Sequence, residues 1–258
     1  MVFLLKFAKN ISIGKHPMSA AKAHIIAQLK KDILLLEGFK PAGAENNDAG
    51  LQLIQHAFPN ATFPSGALHE FICHTTEDSS ASSGFIAALL SSLMNNGSPS
   101  VWIAPSKTIF PPALKSFGID PHKIIFIQTQ KPKEILWTIE EALKCDALCS
   151  VIGEINEISF AESRRLQLAM ERSKATGFLI RTKPKNQTTV SVAKWMIKPL
   201  ATEKRSVVPG LLFPRWNVDL VKVRNGKTGS WQMEWRKGKF QFIHQPVITI
   251  ASAQRKVV

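Results

Sequence analysis

The sequence predicts an α/β fold: a mostly parallel sheet covered by helices, followed by a C-terminal antiparallel β extension. Near-continuous apolar runs such as Lys123-Ile124-Ile125-Phe126-Ile127 suit strands buried on both faces of a parallel sheet. Strand and helix patterns then alternate at spacings of about 20 to 30 residues, the length of right-handed β-α-β units. After residue 181 the texture changes to alternating segments with turns, one of them at Asn225-Gly226, a hairpin signal.

The first element is a helix over Ala20–Glu37, with Ser19 as N-cap and Gly38 as stop. Ile25, Ile26, Leu29, Ile33 and Leu36 share one face, and Lys22, Lys30 and Lys31 lie off it. Pro41 to Asp48 is a linker, and a short helix is expected at 51–58. Strands are expected at 67–73, 100–104, 123–128, 147–152 and 176–181, with helices at 83–96, 109–117, 131–144 and 159–174 between and beside them. The extension holds β-like segments at 189–198, 214–224, 229–236 and 239–249. The implied organisation is a loose tail over 1–17, a helical segment over 18–58, an α/β core over 59–188 and a basic β extension over 189–258.

Composition narrows the function. A chain of 258 residues, 45% hydrophobic, can bury one large core. Cys73, Cys145 and Cys149 are too few for a disulfide framework and read as reduced thiols of a cytoplasmic protein. Cys145-x3-Cys149 lacks the second ligand pair a structural metal needs, so no metal is expected. No apolar run reaches the roughly 18 residues of a membrane span. The opening Met1-Val2-Phe3-Leu4-Leu5-Lys6-Phe7 is a poor signal peptide because Lys6 and Lys9 interrupt it. Met18 directly precedes the first helix, so residues 1–17 are expected to be dispensable. The formal charge of +14 is concentrated: residues 181–258 carry 16 Lys/Arg against 3 Asp/Glu, a net of +13. That asymmetry points to a polyanion partner.

Strand 67–73, a small-residue loop over 74–82 and helix 83–96 follow the order that builds a phosphate cradle. The working residues are absent. Gly84 stands alone, Ser79 fills the earlier glycine position, and Phe85 and Ile86 occupy the places of the phosphate lysine and the magnesium-binding Ser/Thr. Glu77 and Asp78 would repel a triphosphate. Gly226-Lys227-Thr228 does not replace the motif, since Val221 stands where its first glycine belongs. No cofactor and no ATP hydrolysis are expected.

Pro112-Ala113-Leu114-Lys115-Ser116-Phe117-Gly118-Ile119-Asp120, then a strand and a helix, resembles the middle of a RecA-like core, with 147–152 as the Walker B counterpart and Glu154 as its carboxylate. Gly153-Glu154-Ile155, Ser163 to Ser173, Thr176 to Arg181, and Pro214-Arg215-Trp216-Asn217-Val218-Asp219-Leu220 through to Trp235 resemble the ImuA family, over roughly residues 20–236. That family consists of RecA-like accessory proteins of the bacterial damage-inducible (SOS) mutagenesis system. The resemblance implies a non-catalytic adaptor in error-prone translesion synthesis, acting with the polymerase-like ImuB and an error-prone replicative-type polymerase, and with DNA and RecA as further candidate partners. Two other readings stay open: an ATP-dependent recombinase-like enzyme with a divergent site, and a regulator that binds RecA and restrains its filament.

Glu154 reads either as a metal-water carboxylate or as a structural hydrogen-bond acceptor. Arg164, Arg165 and Arg172 touch DNA or a partner, or pair with Glu162 and Glu171. Arg181, Lys183 and Lys185 form a cationic loop at the C-terminal end of a core strand, suited to phosphate contacts. In the extension Arg215, Lys222, Arg224, Lys227, Arg236, Lys237 and Lys239 interleave with Trp216, Trp231 and Trp235. These combine a DNA-binding candidate with a stacking platform or partner interface. Period-2 alternation favours the tryptophans facing inward or toward a partner, with the cations outside. The DNA binding expected is weak, sequence-independent and salt-sensitive, and flattened by loss of Lys183 and Lys185.

Overall fold

The computed structural model describes residues 20–36, 51–94, 97–182, 184–185, 188–201 and 213–243. The tail over 1–17, the 41–48 linker, Lys183 and the last part of the 239–249 segment lie outside them. The chain divides into two compact units, Met1–Ile33 and Leu34–Val258. The first contributes most of helix α1 (Ala20–Leu36), where Gln28 Nε2 donates to Asp32 Oδ1 at 3.0 Å and Ile25, Leu29 and Ile33 are exposed.

The second unit is built on one nine-stranded sheet. Its strands, in chain order, are β1 (Leu68–Cys73), β2 (Ser100–Ala104), β3 (Ile124–Gln128), β4 (Ser150–Ile155), β5 (Thr176–Thr182), β6 (Ala193–Pro199), β7 (Arg215–Val223), β8 (Gly229–Arg236) and β9 (Lys239–Phe242). Across the sheet they run β3-β2-β4-β5-β1-β6-β7-β8-β9. All pairings from β3 to β6 are parallel, and β6 to β9 pair antiparallel. The antiparallel extension thus continues the core sheet.

Helix α2 (Thr76–Leu93) packs on one face, where Phe71, Phe85, Phe178, Trp195, Trp216 and Phe240 join one apolar cluster. Helices α3 (Pro132–Leu143) and α4 (Phe160–Ser173) belong to the other, through Ile135, Ile139, Leu166 and Met170. Gly153 on β4 lets α3 approach, since a Cβ there would lie 2.2 Å from Ile139 Cδ1.

Three expectations are corrected. The short helix at 51–58 and the helix at 109–117 are 3-10 turns, Gln52–Ala57 and Pro111–Phe117. Pro111 and Pro112 supply no N–H to an α-helical ladder. The helix expected from residue 83 begins at Thr76. A capping box sets that start: Thr75 Oγ1 accepts from Asp78 N at 3.1 Å, and Asp78 Oδ2 accepts from Thr75 N at 3.2 Å.

Candidate functional site

The early start of α2 changes the cradle. No small-residue loop stands between β1 and the helix; Ser79, Gly84, Phe85 and Ile86 are all helical. Phe85 and Ile86 are fully buried. Phe85 sits among Phe71, Trp195, Trp216 and Phe240, so its helix face is committed to the sheet. A Cβ at Gly84 would make only ordinary contact, 3.5 Å from Trp216, so this glycine is not enforced by packing. Ser79 N donates to Thr75 O at 3.2 Å.

The helix N-terminus still holds an anion, supplied by the chain itself. Asp78 Oδ2 accepts from the backbone N–H groups of His74 (3.1 Å) and Thr75 (3.2 Å). Backbone N–H groups at this position are what a phosphate would take. Asp78 is 8% exposed, and its carboxylate takes two backbone N–H groups at this helix start. Sequence reading saw Asp78 as a repulsive charge and missed that it caps the helix; the Thr75-x-x-Asp78 spacing carried that signal.

Glu154, at the end of β4, is 7% exposed. Its Oε1 accepts from Trp102 Nε1 (2.9 Å) and Thr108 Oγ1 (2.7 Å), which ties the segment after β2 to the sheet. This is the structural role weighed for it. Beside it Cys73 meets Ser82 Oγ at 3.3 Å; burial, with Asp78 and Glu154 adding to it, pushes its thiol up to about 11. It is no thiolate at neutral pH. Among the described residues no His/Cys/Asp/Glu group could hold a metal, and no helix is long and apolar enough to cross a membrane.

The basic candidates separate. Arg181 leaves the exposed set: it is 1% exposed and donates from Nη1 to the fully buried Glu70 Oε2 at 3.2 Å. Lys194 Nζ reaches the same oxygen at 3.3 Å. Lys185 is exposed and pairs with Glu157 at 2.9 Å. Arg165 pairs with Glu140, not with Glu162 or Glu171, while Arg164 bonds Gln167.

The extension sorts its residues by face. Trp216, Trp231 and Trp235 point into the apolar cluster with Val218, Met233 and Phe240, so the tryptophans are core, and neither a stacking platform nor an exposed interface. The opposite face carries cross-strand rows: Lys198–Asn217–Gln232, Met196–Asp219–Ser230, Arg215–Glu234–Gln241 and Arg236–Lys239. A register shift between Lys194 and Trp195 is a bulge that reverses parity, so Lys222 comes opposite Lys194, away from Leu220. Burial and the charges of Lys194 and Arg224 hold the Lys222 ammonium below the usual lysine range. Arg224 Nη2 donates to Val190 O at 2.7 Å, Arg215 pairs with Glu234 at 2.9 Å, and Arg236 lies 5.0 Å over the Phe213 ring. Lys227, Lys237 and Lys239 are exposed, the latter two in and beside the β8–β9 turn.

Fold and site together define a mixed α/β protein in which the helix after β1 is capped by its own Asp78 carboxylate. The chain is ImuA-like: it is 27% identical to Protein ImuA of Caulobacter vibrioides over 194 residues, which cover 70% of this chain and 80% of that protein. It is also similar to the cell division inhibitor SulA of Yersinia pestis and Yersinia pseudotuberculosis, at 26% identity over 131 residues, covering 51% of this chain and 76% of SulA. No protein-family model matches the chain.

Proposed function

We propose that the protein is a non-catalytic adaptor in SOS-induced, error-prone translesion DNA synthesis. It acts with an ImuB-type polymerase-like protein and an error-prone replicative-type polymerase. The damage-inducible mutagenesis role rests on the likeness to ImuA. The observation that carries the non-catalytic reading is the Asp78 carboxylate on the His74 and Thr75 N–H groups. A nucleotide would have to displace a covalently tethered anion and then find neither lysine nor metal ligand, the groups that supply most charge stabilisation in phosphoryl transfer. The likeness to SulA, named as an inhibitor, supports action through binding. DNA contact, weak and independent of sequence, belongs to the open polar face of β6–β9 with Lys198, Lys222, Lys239 and the adjoining Lys237.

Co-expression of the full chain with the polymerase-like partner tests this reading. The expected result is a stable complex in gel filtration with no ATP turnover above background. A chain that elutes alone, or steady hydrolysis lost on Glu154→Gln, overturns it.

A further inference from the structure

The two edges of the sheet are treated differently. β9 is four residues long and carries Lys239 and Gln241, which blunt it against stray pairing. β3 is five residues, Ile124-Ile125-Phe126-Ile127-Gln128, with no charge and, among the described residues, no strand on its outer side. Ile125 is 50% and Phe126 40% exposed, and Phe110 nearby is 70% exposed. Thr129 N donates inward to Ala104 O, so alternation turns the backbone groups of Ile124, Phe126 and Gln128 outward. Ile124 N–H is taken by Pro121 O; among the described residues the outward groups of Phe126 and Gln128 have no partner.

A cavity of about 330 Å³ opens beside this edge, lined by Trp102, Ala104, Lys107, Ile109, Phe126 and Gln128 among others. Unpaired backbone with an adjoining apolar cavity is what strand addition needs: the backbone gives affinity and the cavity takes an alternate side chain. Lys107 lines the cavity, and the exposed Lys123 and Lys133 flank β3 along the chain, while Lys131 is paired with Glu134 at 2.7 Å.

We propose that the outer edge of β3 binds an extended segment of another protein, apolar at alternating positions and flanked by acidic residues. A second copy of this chain fits less well. Antiparallel self-pairing centred on Ile127, with Phe126 opposite Gln128, would bring Lys123 of one copy opposite Lys131 of the other, and the +14 net charge opposes self-association. The proposal rests on the adaptor reading, for which it names a docking surface.

The test uses the full chain and two synthetic peptides with the same alternating Val/Phe core, one ending in Asp-Glu pairs and one in Lys pairs. Gln128→Pro removes one outward N–H and leaves the β2 ladder intact; Ile125→Asp sets a like charge against the acidic peptide. The expected result is saturable binding of the acidic peptide by fluorescence anisotropy, at least about tenfold weaker for the lysine peptide and for each variant, with unchanged melting by circular dichroism. Absence of saturable binding, equal binding of both peptides, or a concentration-dependent dimer abolished by Gln128→Pro overturns the proposal. Co-purification of the polymerase-like partner separates the two levels. If Gln128→Pro retains that partner, the edge proposal falls and the adaptor reading stands. Peptide binding without any partner capture leaves the edge and removes the adaptor reading.

Discussion

His69 and Glu70 are neighbours on β1, fully buried on opposite faces of the sheet, and each sets a condition on stability. His69 Nε2 donates to Pro64 O at 2.8 Å and Trp195 Nε1 donates to its Nδ1 at 3.4 Å, an arrangement that uses the neutral ring. Burial lowers its pKa from 6.5 to about 4. Between those values the unfolded chain holds the extra proton. Stability therefore rises with pH across that window and is lost as pH falls through it, by about 3 kcal/mol in all. The lowered carboxylates, Glu77, Glu134 and Glu162, act only below their ordinary range, near 4.5. Denaturant titrations at about pH 5 and about pH 7 are expected to differ in the native chain and to converge in His69→Gln; an equal difference in both chains removes His69 as the cause. On the other face Glu70 accepts from Arg181 and Lys194. Glu70→Gln leaves the buried Arg181 guanidinium without its carboxylate, an expected loss of about 3–5 kcal/mol, read as a lower denaturant midpoint. The sequence showed Arg181 as a basic residue at a strand end, and nothing local distinguished an exposed end from one roofed over by later chain. Its partner lies 111 residues away.

At the scale of elements, the parallel core was legible because its apolar runs and spacings are local properties. The boundary of α2 was not read correctly, because serine-rich 79–83 has loop propensity and was weighed without the Thr75–Asp78 cap. The inward tryptophans followed from period-2 alternation. The bulge that carries Lys222 across to the other face did not, since a parity change leaves no compositional mark. Trp231→Ala is expected to destabilise by about 3–5 kcal/mol, as a buried aromatic deleted from the core, and to melt earlier in calorimetry; an unchanged melt would place Trp231 outside the core. The Asn225-Gly226 turn answers to packing as well as to chain reversal. A Cβ on Gly226 would lie 2.3 Å from Ala57 O, the same carbonyl that accepts from Lys227 N at 2.7 Å. Gly226→Ala should cost about 1–3 kcal/mol by overpacking, with unfolding measured in urea.

At the scale of the whole molecule, charge and topology agree. Much of the +13 carried after residue 180 belongs to β6–β9, and register puts Lys198, Lys222 and Lys239 on one polar face. Single-stranded DNA affinity is expected to fall linearly with salt on logarithmic axes, and Lys198→Ala with Lys239→Ala to flatten the slope by about 1.4 if both meet phosphate. An unaltered slope would move the contact elsewhere. The likeness to ImuA was legible only through phrases such as Gly153-Glu154-Ile155 and Trp231-Gln232-Met233-Glu234-Trp235; composition alone reached no further than a polyanion partner.

The central claim is that the phosphate position at the start of α2 is filled from within the chain. Isothermal titration of the purified, DNA-free protein with ATP and magnesium tests it most directly. No saturable heat is expected at ATP concentrations up to about the millimolar range, which corresponds to less than about 4 kcal/mol of binding free energy. Saturable binding of ATP that tightens in Asp78→Ala, where the tethered carboxylate is gone, would show that the site still takes a nucleotide and would contradict the account.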